Sequence, residues 1–165
     1  MLNKYAIFFL TVITVTLLDQ FTKAFIHATM SLHSSWVVIA GFLNITYVRN
    51  PGAAFGFLAH TAPWFRSIFF VLVTLLAIGM ILYYLVKSRA DQPGLIFALS
   101  LILSGALGNL IDRLRLGEVI DFIDVYWSTY HWPAFNVADA AISIGAMIMI
   151  LEMVKQRNEG DKEES

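Results

Sequence analysis

The sequence predicts an all-α membrane protein, a four-helix transmembrane bundle with a small β-sheet in its first outer loop. Of its 165 residues, 58% are hydrophobic and only 14% are charged, whereas soluble domains carry about a quarter charged residues. The apolar residues concentrate in four stretches, each close to the roughly 20 residues that a spanning helix needs. The long connection after the first stretch contains two short patterns typical of β-strands.

The four predicted spans form a single membrane domain, residues 1–165. They cover about Tyr5–Ile26, Trp64–Val86, Pro93–Ile111 and Val137–Val154. The first is interpreted as a retained helix, because its apolar core exceeds the roughly 7–15 residues of a signal-peptide core and no Ala-x-Ala pattern follows it. A short polar connection, 87–92, joins the middle spans, and the charged tail, 155–165, is expected to be disordered.

Two longer connections are predicted on the opposite side of the bundle, at 28–63 and 112–135. In the first, Trp36–Ile39 and Leu43–Val48 have the composition of two short strands. A turn follows at Asn50–Gly52, where proline presets φ and glycine is free to take positive φ. The second connection contains Asp121.

Small residues occur four apart in the third and fourth spans, as Ser104 and Gly108, and as Ala141 and Gly145. Such pairs allow the backbones of two helices to approach closely. They therefore predict close helix packing and have no catalytic meaning.

The polar residues of the apolar segments are predicted to gather at one membrane surface. Four antiparallel spans place the end of the third span, with Asn109, and the start of the fourth, with Asp139, on the same face. Asp19 lies in the first span, about 10 Å below that face at 1.5 Å per residue. This clustering predicts a single site.

The orientation of the bundle follows from the positions of lysine and arginine. Six of them lie on the side of the termini and five on the side of the site, which is almost no bias. If Lys23, Arg49 and Arg113 are retained for the site, the others favour cytoplasmic termini. The site is then expected at the outer face.

Asp121 and Asp139 are the candidate catalytic residues. Ionisable groups in or beside hydrocarbon are costly and mark functional sites. Two carboxyls in contact cannot both ionise, so one can take a proton from water while the other polarises the scissile carbonyl. The structural alternative is that each aspartate caps a helix or pairs with an arginine.

The other candidate residues also have structural alternatives. Asp19 and Lys23, four apart on one helix, are expected to form an ion pair. Asn50, Asn109 and Asn136 can orient a substrate backbone or a carboxylate, although Asn136 is equally suited to cap a helix and Asn50 to form a turn. Arg113, placed just past the third span, can hold a carboxylate or a lipid phosphate.

Several enzyme classes are excluded or disfavoured. The chain has no cysteine, so thiolate catalysis and Cys-ligated metals are excluded. Its four histidines show no HExxH spacing, and no Gly-x-Ser-x-Gly motif is present. A small proton-coupled transporter remains an alternative, because intramembrane acids also mark ion paths. A lipid- or peptide-binding scaffold is a third alternative, although it would not need two aspartates.

Four segments together resemble the bacterial lipoprotein signal peptidases, or signal peptidase II. They are DQFTK at 19–23, NITYVRNPGAAFG at 44–56, GALGNLIDRLRLGEVIDFI at 105–123 and FNVADAAI at 135–142. They occur in the order of the family and extend from the first span into the fourth. No motif position departs from the family pattern.

The resemblance implies a four-span aspartic protease of the bacterial inner membrane. Such enzymes cleave prolipoproteins just before a cysteine that carries a diacylglyceryl group, and cyclic peptides of the globomycin type inhibit them. It places the catalytic pair on Asp121 and Asp139 and implies no cofactor or metal. The candidate substrate-binding residues are the family's site-lining positions with Gly52 of the turn: Asp19, Lys23, Asn50, Gly52, Asn109, Arg113 and Asn136. The first outer loop corresponds to a small sheet that cradles the substrate.

Overall fold

The computed structural model describes residues 3–52, 61–89 and 91–163. The end of the 44–56 motif, residues 53–56, lies outside these ranges. The described chain forms helices α1 (Lys4–Thr29), α2 (Pro63–Lys87), α3 (Pro93–Leu116) and α4 (Val137–Glu163), and strands β1 (Ser35–Ile39), β2 (Leu43–Asn50), β3 (Val119–Trp127) and β4 (Tyr130–His131).

All four predicted spans are confirmed as helices long and apolar enough to cross a membrane. The predicted ends are less accurate. α3 continues five residues beyond Ile111 and ends at Gly117, a left-handed cap with φ of 76°. Arg113 is therefore in the final turn of the helix rather than past it. The expected disorder of the tail is wrong for residues 155–163, which extend α4.

α3 is the central helix and packs against α1, α2 and α4. Its contact with α4 depends on glycine, as the small-residue pairs predict. A Cβ on Gly105 would collide with the carbonyl of Ala138, and one on Gly145 would lie 2.7 Å from the carbonyl oxygen of Ala98. The two backbones touch at these positions, so α3 and α4 hold a fixed relative position.

The sheet contains strands from both outer connections, in the antiparallel order β1-β2-β3-β4. The predicted strands of the first connection are confirmed as β1 and β2, while β3 and β4 were not predicted. Residues 119–122 of β3 are all buried, so this strand lacks the alternation that marks a half-exposed strand. Pairing of β2 with β3 places Asn50 opposite Val119 and Val48 opposite Asp121.

Lys4 links the start of α1 to the end of α2, at the end of the bundle opposite the sheet. Its Nζ donates to the carbonyls of Leu85 at 3.2 Å and Ser88 at 2.8 Å, which lie at the end of α2 and lack helical partners. The start of α1 and the connection between α2 and α3 therefore share one face. The sheet and the ends of α1 and α3 lie on the other face.

Candidate active site

The two candidate catalytic aspartates lie on adjoining elements. Asp121 is the third residue of β3, just after the cap that ends α3, and is 2% exposed. Asp139 is the third residue of α4 and is half-buried. Close packing of α3 on α4 brings the start of β3 beside the start of α4, as the expected clustering required.

Asn136 connects the two aspartates. Its Nδ2 donates to Asp121 Oδ1 at 2.7 Å, and its Oδ1 accepts from the Asp139 backbone N–H at 2.9 Å. Its own N–H donates to Asp139 Oδ2 at 3.2 Å. The helix-cap interpretation of Asn136 is thus correct, and the same side chain also orients Asp121.

Each aspartate is held by one further asparagine. Asn50 Nδ2 donates to Asp121 Oδ2 at 2.9 Å, and Asn109 Nδ2 donates to Asp139 Oδ1 at 2.8 Å. The turn interpretation of Asn50 is also correct, because its Oδ1 accepts from the N–H of Gly52 at 2.8 Å. All three asparagines therefore position the two carboxylates.

Burial, and to a lesser degree the nearby charge of Asp139, raise the pKa of the Asp121 carboxyl to about 7. Hydrogen bonds from Asn50 and Asn136 act in the opposite direction, because they stabilise the ionised form. At neutral pH a substantial fraction of Asp121 therefore carries a proton. A neutral acid beside a second carboxyl is the arrangement that acid–base hydrolysis requires.

A cleft of about 620 Å³ is lined by Asp139, the less buried of the two aspartates. Asn50 and Asp139 form its polar wall, and Trp132, Phe135 and Ile144 are among its apolar residues. Ile144 is 51% exposed on a spanning helix, so the cleft opens beside the lipid-facing surface of α4. Asp139 is therefore accessible from the exposed side of α4.

A buried ionic cluster lies behind the site. The predicted pair of Asp19 and Lys23 is confirmed at 2.9 Å, and Asp112 makes a second ion pair with Lys23 at 3.0 Å. Asp19 is 0% exposed and Lys23 is 1% exposed. Lys23 also donates to Asn109 Oδ1 at 2.9 Å, which connects the cluster to the asparagine that holds Asp139.

Both carboxylates of the cluster hold the backbone beside a candidate catalytic residue. Asp19 Oδ1 accepts from the N–H of Ala138 at 2.9 Å, next to Asp139. Asp112 Oδ2 accepts from the N–H of Ile120 at 3.1 Å, next to Asp121. The ions fix the start of α4 and the start of β3 with respect to each other.

Arg113 approaches the site from the end of α3. Its guanidinium lies within electrostatic range of Asp139, Asp121 and Asp112. The guanidinium carbon is 5.4 Å from the centroid of the Phe70 ring, within the range of a cation–π contact. The same ring occupies the space that a Cβ at Gly52 would need.

Three contributors to the site were not recognised from the sequence. Gln20 donates to Asp19 Oδ2, Gly108 O and Asp112 Oδ1, each at 3.1 Å. Its position beside Asp19 was the available signal. For Asp112 the available signal was an acid at the end of an apolar span, where an ionisable side chain needs a partner. Phe70 is one of many aromatic residues in the spans, and nothing in the sequence distinguishes it.

In the described ranges, no group of three or more histidines and acids is arranged to hold a metal ion. The polar groups of the site hydrogen-bond one another, through carboxylates and amides. What the arrangement offers chemically is a pair of carboxyls that can donate and accept protons, with Asp121 buried and Asp139 half-buried in the wall of the cleft.

The family model for signal peptidase (SPase) II matches residues 11–155, a range that includes every site residue from Asp19 to Asp139. The chain is 54% identical over 153 residues to the lipoprotein signal peptidase of Syntrophus aciditrophicus (strain SB), covering 93% of this chain and 95% of that protein. It is 46% identical over 161 residues to the lipoprotein signal peptidase of Pasteurella multocida (strain Pm70), covering 97% and 96%.

Two solved structures share the fold. Both are described as bacterial membrane enzymes, determined by the in meso method at 2.3 and 1.9 Å resolution. The first superposes with a TM-score of 0.82 at 38% identity, over 92% of this chain and 89% of that one. The second gives a TM-score of 0.80 at 39% identity, over 89% and 92%. The chain therefore belongs to the signal peptidase II family, the membrane proteases that process lipoproteins.

Proposed function

We propose that this signal peptidase is an aspartic endopeptidase in which Asp121 and Asp139 are the catalytic residues. One observation carries the proposal: Asn136 hydrogen-bonds both carboxylates, donating from its side chain to Asp121 Oδ1 and from its backbone N–H to Asp139 Oδ2. Two aspartates that only capped helices would not need to share Asn136 as a hydrogen-bonding partner. The transporter alternative is not supported, because the family match is to peptidases.

The two aspartates have different roles in the proposed reaction. Asp121, with its raised pKa, supplies the proton that polarises the scissile carbonyl oxygen. Ionised Asp139 takes a proton from the attacking water, so that a hydroxide equivalent adds to the carbonyl carbon. Asp139 then transfers the proton it took from water to the peptide nitrogen while one hydroxyl of the tetrahedral intermediate returns a proton to Asp121, so that the C–N bond breaks and releases a carboxylic acid and the new amino terminus. Asn50, Asn109 and Asn136 keep both carboxyls oriented during these steps.

The proposed substrate is a prolipoprotein with a diacylglyceryl group on the cysteine that follows the cleaved bond. The cleft includes Ile144 on the exposed side of α4, near the start of that helix, and we expect this depth to match that of a cysteine anchored by its acyl chains. Such an anchor reduces the freedom of the scissile bond before it binds. Gly52 and Arg113 are proposed to line the path of the peptide, with Asp19 and Lys23 supporting the site from below.

The proposed location is the bacterial inner membrane, with cytoplasmic termini and the site at the outer face. The balance of Lys and Arg outside the site favours this orientation. Cyclic peptides of the globomycin type are proposed to compete with substrate for the two aspartates. Competitive inhibition by such a peptide is the expected kinetic result, and non-competitive inhibition would place the peptide elsewhere.

A cleavage assay in detergent tests the substrate and the active residues together. Purified protein is given a diacylglyceryl-modified prolipoprotein and, separately, its unmodified form, with Asp139→Asn as the inactive control. Cleavage of the modified form alone, and none by Asp139→Asn, is expected. Equal cleavage of both forms would overturn the proposed substrate class.

A further inference from the structure

Phe70 is a residue of α2 that contacts the candidate site. Its half-buried ring contacts the Arg113 guanidinium of α3 at 5.4 Å. The ring also packs against Gly52, so closely that a Cβ at that position would not fit. Gly52 has a φ of 91°, which L side chains rarely adopt. One aromatic ring therefore touches both a cation near the aspartates and the turn that follows β2.

The contact with Phe70 is what holds the Arg113 side chain. In residues 3–52, 61–89 and 91–163, no hydrogen bond or ion pair involves the guanidinium, although three carboxylates lie within its electrostatic range. A cation–π contact fixes the position of the charge without using its N–H donors. The planar fork of Arg113 thus stays available to a carbonyl or carboxylate in the cleft.

Two hydrogen bonds link the Gly52 contact to Asp121. The Gly52 N–H donates to Asn50 Oδ1, and Asn50 Nδ2 donates to Asp121 Oδ2. Movement of the turn would therefore change the orientation of the amide that holds Asp121. The Phe70 ring limits that movement from the side of α2.

We propose that Phe70 is a positioning residue for the cleavage reaction, which aims the Arg113 guanidinium at the catalytic pair and supports the Asn50–Gly52 turn. The inference rests on the proposed function of Asp121 and Asp139. It assigns α2 a role in catalysis, through one side chain that does not itself touch the reacting atoms.

Three variants test the role of the ring. Phe70→Leu keeps an apolar side chain but removes the π face, and kcat is expected to fall roughly 3- to 30-fold with a smaller change in KM. Phe70→Tyr restores the ring and is expected to recover most of the lost activity. Phe97→Leu, at a lipid-facing position of α3 that is 40% exposed, is the matched control and is expected to behave as the unmodified protein. Thermal unfolding of each variant confirms that the folded protein is compared.

A double-mutant cycle separates positioning from a general packing effect. Because the proposed effect passes partly through Arg113, Phe70→Leu should cause a smaller fold loss in kcat in an Arg113→Gln background than in the unmodified protein. Two results would overturn the inference: unchanged kcat in Phe70→Leu, or the same fold loss in both backgrounds. Cleavage by Asp139→Asn is measured in the same series. Activity in that variant would refute the proposed function itself, whereas an inactive Asp139→Asn with a fully active Phe70→Leu would refute only the role of Phe70.

Discussion

At the scale of single residues, the site depends on charges that have no access to water. Lys23 lies between Asp19 and Asp112 at 2.9 and 3.0 Å, with all three side chains at most 3% exposed. Removing one member of such a cluster leaves an uncompensated buried charge, which is strongly destabilising. Each carboxylate also accepts a backbone N–H beside one of the two candidate catalytic aspartates. We infer that the cluster supports the site structurally and does not form its substrate-binding surface.

The raised pKa of Asp121 predicts how activity depends on pH. The proposed reaction needs Asp121 protonated, so kcat should decline as pH rises through about 7. The effect on stability has the same sign. The folded state keeps this proton between the ordinary pKa of 3.8 and about 7, where the unfolded chain releases it, so this group's contribution to stability falls across that interval.

A pH–rate profile with the lipid-modified substrate in detergent checks this expectation. Because the two carboxyls are coupled, the observed values belong to the pair. A rate that continues to rise to pH 9 would contradict the role of Asp121 as the proton donor.

Much of the site was predictable residue by residue, because an acid or asparagine in an apolar segment is conspicuous in any sequence. Asp121, Asp139 and Asn136 were identified in this way, and their positions agree with the expected cluster. The ring of Phe70 was not, since its importance depends on contacts with Arg113 and Gly52 that exist only after folding.

At the scale of elements, the close contact between α3 and α4 decides whether the two aspartates meet. Gly108 lies where that contact joins the ionic cluster, because a Cβ there would collide with Asp19 Oδ2 and approach the Cβ of Ala138 at 3.3 Å. Asp19 has little room to move, since it is already bound to Lys23 and to the N–H of Ala138.

Gly108→Ala is therefore expected to lower stability by about 1–3 kcal/mol, the usual range for overpacking, and to reduce cleavage. Gly79→Ala in α2 is the matched control, because a Cβ there meets nothing within 4 Å. It should be neutral or stabilise the helix by about 0.5–1 kcal/mol. Thermal unfolding in detergent measures both, and equal shifts in the two variants would argue against the role of this contact.

The boundaries of the elements were harder to predict than their existence. Hydrophobic length indicates where a helix crosses the bilayer, but α3 ends at Gly117, where the backbone can take φ of 76°. β3 was missed although VIDFIDVYW is rich in β-formers. Its first four residues are buried on both faces of the sheet, and burial of that kind removes the alternating pattern on which strand prediction depends.

At the scale of the whole molecule, the proposed orientation places the sheet outside the cell membrane and the α2–α3 connection inside. The chain has no cysteine, so a single introduced cysteine is the only thiol. Thr129→Cys, on the exposed turn between β3 and β4, should react with a membrane-impermeant maleimide in intact spheroplasts. Arg89→Cys, exposed after α2, should react only after permeabilisation. The reverse labelling pattern would show that the topology is inverted.

The architecture also explains why a small membrane protein suits this chemistry. The spanning helices supply two fixed helix ends, and the sheet brings Asp121 and Asn50 to them. A membrane would also restrict where the proposed lipid-anchored substrate can lie. The protein therefore does not need a deep binding cleft built from many residues.

The initial rate of cleavage of a diacylglyceryl-modified prolipoprotein by Asp121→Asn, compared with Asp124→Asn, tests the central claim most directly. Asp124 lies on the same strand, is also buried, and hydrogen-bonds Asn44 and His131, so it controls for the loss of any buried acid. The account predicts that Asp121→Asn loses about 10²–10⁴-fold in rate while remaining folded, and that Asp124→Asn stays within about threefold, a difference of well under 1 kcal/mol. Near-normal cleavage by folded Asp121→Asn would contradict catalysis by the two aspartates.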